Sequence, residues 1–185
     1  MSIYLRNILR FITIMFIQVF LLNDIHLQWL SSSWGLPPYS PFLYPLIILL
    51  LPLSTPTWAM LLLSFGTGLT VDIFMDTGGL HTAVCLFIAV VRNSVLTALL
   101  PQRLSDYPNL SPGVRNMGWI PFLTYAAVLI LVHHICYYLI EIWSFRSFGY
   151  LLLKTFISFI TSMVLVILYT LLFSQFSGGS NTLTE

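Results

Sequence analysis

The sequence predicts an all-α, polytopic membrane protein with six transmembrane helices. Three observations carry that expectation. Hydrophobic residues make up 58% of the 185-residue chain and charged residues only 7%, whereas a soluble domain carries roughly 25% charged residues to cover its surface. The mean hydropathy is +0.92. The 7 Lys+Arg and 6 Asp+Glu are clumped: no charge lies between Asp24 and Asp72, between Arg115 and Glu141, or between Lys154 and Glu185. Largely apolar runs of roughly 18 residues or more read as membrane spans. No room is left for a separate soluble domain, so residues 1–176 read as one membrane domain and 177–185 as a short cytoplasmic tail. A net charge of +1 gives no reason to expect nucleic acid as a partner. Membrane lipid is the surrounding medium.

Six apolar segments follow in order. Residues 8–22 form the first. The basic residues before and within it (Arg6, Arg10) raise the question of a signal peptide, but Asn23-Asp24-Ile25-His26 follows with no small-x-small cleavage pattern, so the segment reads as a retained span. The second segment is about 42–53, the third 58–74, the fourth 80–100, the fifth 120–142 and the sixth 148–173. Pro52 and Pro56 bracket Ser54-Thr55 and set a tight turn between spans two and three. Thr77-Gly78-Gly79 sets another between three and four. Spans two and three are short or interrupted by glycine, which reads as tilt or partial breakage. Cys85 and Cys136 fall inside apolar runs and read as small buried hydrophobes rather than a disulfide.

Charge asymmetry orients the chain. With the N-terminus cytoplasmic, Arg6, Arg10, Arg103 and Arg115 fall inside and only Arg146 outside, as the positive-inside rule requires. Six spans then return the C-terminus to the cytoplasm. Arg92 and Lys154 are expected to snorkel toward the nearer interface. Trp29, Trp34 and Trp143 fall at the outer interface and Trp58 and Trp119 at the inner one, where an aromatic belt belongs. The loop at 23–41 is aromatic and apolar and reads as lying along the outer surface. The loop at 101–118 is the only sizeable cytoplasmic one, open to a partner or simply a linker.

Asp72 is the most informative single residue. It lies roughly 9 Å below the outer turn, and a carboxylate at that depth must be paired, hydrated or protonated. Arg92 is not level with it. Lys154, His133, His134 and Glu141 are, and His134, Tyr137, Tyr138 and Glu141 share one helix face. The expectation is an outer polar cluster of Asp72, His133 or His134, Glu141 and Lys154. Its role is open between a structural network and a site for a ligand or partner. Span three also carries Gly66, Gly68 and Thr70, with Gly79 in the following turn. These small residues allow close helix approach, either within the fold or in a groove for another protein's helix. His26 and His81 fall at the outer interface and need no special role. Adjacent His133 and His134 point to different faces, which suits metal chelation poorly. No His-Glu-x-x-His, Gly-x-Ser-x-Gly or phosphate loop is present. No catalytic, metal-binding or cofactor residue is assigned.

Gly68-Leu69-Thr70-Val71-Asp72, followed after a short turn by Gly79-Leu80-His81-Thr82-Ala83, resembles the signature of the MreD family of rod shape-determining proteins. The basic N-terminus, the length and the six-span plan also fit. Residues 51–58 (Leu-Pro-Leu-Ser-Thr-Pro-Thr-Trp) and His133-His134 with Glu141 before Ser144-Phe145 are similar to one branch of that family. The likeness covers roughly residues 1–175. It departs in having Gly79-Leu80 where the family pattern has a Leu-Gly pair. The resemblance implies a fold similar to the substrate-binding subunits of energy-coupling-factor transporters. It also implies a non-enzymatic scaffold in the bacterial inner membrane, acting in rod-shape determination and lateral peptidoglycan synthesis. The implied partners are MreC, MreB, and RodA with its transpeptidase. The competing expectation is a vitamin-binding transport subunit. Such subunits dock their energising partner through small residues on the first span, and residues 8–22 contain neither Ala nor Gly.

Overall fold

The structure, a computed structural model, describes residues 3–22, 40–100, 111–142 and 148–173. Trp29, Trp34, Trp143, His26, Arg103, Arg146 and the 177–185 tail lie outside them. The described residues are all-helical, without strands. Helix α1 (Ile3–Phe16) continues as a π-helical turn (Ile17–Leu22). Helix α2 is a single short turn (Pro45–Leu49). Helices α3 (Thr57–Met75) and α4 (Leu80–Leu99) form a hairpin. A short α5 (Val114–Met117) leads into α6 (Trp119–Ile142), and α7 (Phe148–Phe173) follows. Helices α3, α4, α6 and α7 are long and apolar enough to cross a membrane. Their bounds match segments three to six of the sequence reading within a residue or so.

Each long helix leaves one stripe facing inward and exposes large apolar side chains elsewhere, among them Trp58, Ile73, Ile120 and Leu172. A water-facing surface would not carry such a coat, whereas lipid tails match it. Successive long helices pack as neighbours, α3 on α4, α4 on α6, and α6 on α7.

The second segment departs from its expected form. Its helix is only five residues long, about 7.5 Å at helical rise, and cannot cross a bilayer of about 30 Å as a helix. Residues 41–51 are instead all buried, running as a strap through the middle of the bundle. Tyr44 lies level with His81 of α4, and Leu51 lies level with Arg92, eleven residues further along the same helix. The strap therefore descends roughly 16 Å through the bundle. Below, the "turn end" is the end carrying the α3–α4 turn, and the "far end" is the opposite one. The two cysteines are free, Cys85 buried and Cys136 partly so.

Candidate functional site

Asp72 sits in the last turn of α3, four residues after Gly68, so both face the start of α4. A Cβ on Gly68 would lie 2.4 Å from the Thr82 Cα, so only glycine lets the two backbones meet there. The chain reverses through Asp76 (φ 52°), Gly78 (φ 59°) and Gly79 (φ 95°), left-handed conformations that glycine adopts without penalty. This hairpin brings the Asp72 carboxylate onto the first turn of α4, whose N–H groups have no intrahelical partner. One carboxylate oxygen accepts from the His81 backbone N–H at 2.9 Å and the Thr77 hydroxyl at 2.6 Å. The other accepts from the Thr82 N–H at 2.8 Å and the Thr82 hydroxyl at 2.6 Å. A negative charge at a helix N-terminus is stabilised by the helix dipole. Asp72 is thus a cap supplied by the preceding helix, and these four bonds are how a carboxylate is kept at this depth.

The expected cluster separates into three parts. Lys154 pairs with Glu141 at 2.7 Å on a partly exposed edge and lies 4.6 Å from the centre of the Tyr138 ring; neither touches Asp72. His133 bonds through its Nε2 to the Tyr44 hydroxyl at 2.6 Å, and the same hydroxyl meets His81 Nδ1 at 2.7 Å. His134 turns away toward α7. Its Nδ1 lies 2.8 Å from the Ile130 carbonyl and therefore carries the proton, leaving Nε2 to accept from the Ser162 hydroxyl at 3.2 Å. Ser162 in turn accepts from the Phe42 N–H at 2.8 Å.

His81, read from sequence as an interfacial residue without a role, is fully buried and links Asp72 to Tyr44 and His133. Sequence reasoning also missed Tyr44, because nothing local shows that a short helical strap will be drawn between α4 and α6. The one available signal was the shortness of the second apolar run. Tyr44 has a single hydroxyl proton between two imidazoles, so one ring accepts it and the other donates to the phenol oxygen. The far nitrogens, His81 Nε2 and His133 Nδ1, are buried without a hydrogen bond among the described residues.

These side chains share a second task, satisfying the backbone of the strap. Non-helical backbone at membrane depth is tolerated only where it is buried in protein or lines a water-filled cavity. Here the Gln18 amide oxygen accepts from the N–H groups of Leu43 (2.7 Å) and Tyr44 (3.3 Å), and Ser162 holds Phe42. At the other end the Tyr125 hydroxyl donates to the Leu49 carbonyl at 3.0 Å, and the Arg92 guanidinium donates to the Leu51 carbonyl and the Tyr125 oxygen. Arg92 is fully buried, so it does not snorkel. It is held because three of its nitrogens find acceptors inside the protein. The Phe42 ring lies 4.8–5.6 Å, centre to centre, from Tyr44, His81, His133, His134 and Tyr137 and fills the space among them.

The small residues of α3 do not share one face. Gly68 packs on α4, whereas Gly66 has nothing within 4 Å of a built Cβ. Thr70 is part-buried and returns its hydroxyl to the Gly66 carbonyl at 2.7 Å. Among the described residues no group of three or more His, Cys, Asp or Glu is placed to hold a metal ion. Compared with family models, curated proteins and solved structures, the chain matches none.

Proposed function

We propose that this protein is a membrane scaffold of the MreD kind, acting in the bacterial cell-elongation machinery rather than as an enzyme. Its partners on this reading are MreC, MreB, and RodA with its transpeptidase. The strap counts as a crossing in this proposal. With α1 and the four long helices it makes six passages through the inner membrane, both termini cytoplasmic. The observation that carries the reading is the strap itself. A solute-binding subunit needs an enclosed cavity of about 300 Å³ or more. Here the space beneath the turn-end polar residues is taken by the chain's own Phe42 and Tyr44. A bundle filled by its own backbone has its outer faces left for work, and Gly66 with Thr70 on α3 offers a shallow seat for a partner helix. The signature residues that prompt the MreD comparison, Gly68, Asp72, Gly79 and His81, join as one helix-hairpin device.

Depletion tests the proposal. Loss of rod shape with vitamin uptake unchanged is the expected result. Normal shape together with a vitamin requirement overturns it and favours the transport subunit.

A further inference from the structure

The Tyr44 hydroxyl lies 2.7 Å from His81 Nδ1 and 2.6 Å from His133 Nε2. Both histidines are fully buried, and the other nitrogen of each ring, His81 Nε2 and His133 Nδ1, has no hydrogen bond among the described residues. A neutral imidazole carries one N–H and one lone pair. Suppose Tyr44 donates to His81. The His81 hydrogen is then on Nε2, His133 donates from its own Nε2 to the phenol oxygen, and His133 Nδ1 is bare. Suppose instead that Tyr44 donates to His133. The hydrogen is then on Nδ1 in both rings, and His81 Nε2 is bare. In either arrangement the two rings are the same tautomer. One outward nitrogen is then a donor and the other an acceptor.

Buried polar atoms are nearly always partnered, by protein or by ordered water. The neighbouring polar side chains are engaged elsewhere: Asp72 on the first turn of α4, His134 on Ile130 and Ser162, and Tyr138 on Ser158. We propose that His81 Nε2 and His133 Nδ1 each anchor an internal water molecule, so that the polar centre around Tyr44 is hydrated inside the membrane-spanning bundle. Water serves a donor and an acceptor equally, as this pair requires. A metal ion held by both nitrogens does not fit, because only one of them has a free lone pair while the bridge is neutral. Folded proteins hold roughly one buried water per 27 residues, usually on polar groups that otherwise lack a partner. The inference follows from the bridge geometry and does not rest on the scaffold reading.

Nuclear magnetic resonance of the purified full chain in detergent micelles, with histidine labelled in its ring nitrogens, tests this with water as the probe. The ring nitrogen shifts should show His81 and His133 as one and the same neutral tautomer. The outward ring hydrogen should give a direct rotating-frame cross-peak to water, of opposite sign to an exchange peak, and should be lost on transfer to D2O. The bare outward nitrogen should show the upfield shift of a lone pair that accepts a hydrogen bond. H81Q and H133Q assign the signals by loss of one set each. Should either fail to fold, contacts to the Tyr44 ring in the unaltered chain assign them. An outward ring hydrogen with no water cross-peak that persists in D2O overturns the proposal. So does a through-bond coupling from either outward nitrogen to another protein group. Opposite tautomers, or an imidazolium at either position, overturn the donor–acceptor pairing on which it stands.

Discussion

Gly66 and Gly68 look alike in the sequence and stand two residues apart, yet they do opposite things. Two residues along a helix is about 200° of rotation, so one faces α4 and the other faces away. Gly68→Ala should drive a methyl into the Thr82 backbone and cost about 1–3 kcal/mol. Gly66→Ala meets no atom and should be neutral, or stabilising by up to about 1 kcal/mol through helix propensity. Thermal unfolding of the two purified variants in the same detergent checks the contrast, and equal losses would contradict the hairpin geometry. Asp72 offers a similar test. Asp72→Asn turns one acceptor into a donor that faces two donors, and should lose about 2–4 kcal/mol. Lys154→Met breaks only a part-exposed pair worth about 1 kcal/mol or less. The two residues were grouped by depth in the sequence reading. Depth along a helix is legible from residue counting, but which way a side chain points across the bundle is not. That is why the cluster separated on folding.

At the scale of elements, the strap is where sequence and structure part. Residues 42–53 are apolar and bounded by turn signals, so they read as a span. Their helix is bracketed by Pro45 at its start and Pro52 beyond its end, and the surrounding elements supply side-chain partners for the backbone on either side of it. Gln18 comes from the π-helical turn after α1, and Ser162, Tyr125 and Arg92 come from α7, α6 and α4, none near the strap in sequence. Gln18→Leu should strand the Leu43 and Tyr44 N–H groups in an apolar setting and cost about 2 kcal/mol or more. Amide hydrogen exchange at those two positions should accelerate while α7 stays protected. Unchanged protection at Leu43 and Tyr44 would contradict the assignment of Gln18 as their acceptor. Arg92 belongs to the same account: a cation in a span reads as snorkelling only until a buried carbonyl is known to be within reach.

For the molecule as a whole, the ends of the bundle differ in chemistry. The turn end gathers carboxylate, imidazole and phenol, while the far end has two arginines around an amphiphilic pocket. A reporter fused after Ser105 should give a cytoplasmic signal, and an extracytoplasmic one would reverse the assignment of both ends. The sequence by itself determined the class of environment and the four long helices, nearly to the residue. Hydropathy and turn chemistry are local, and a bilayer rewards any sufficiently long apolar helix whatever its neighbours. The carboxylate cap, the Tyr44 bridge between two histidines, the buried Arg92 and the threading of the strap were decided only by tertiary structure. The cap closes within one hairpin, whereas the other three depend on donors and acceptors from distant segments meeting in a medium without water, where every backbone group must find its partner inside the protein.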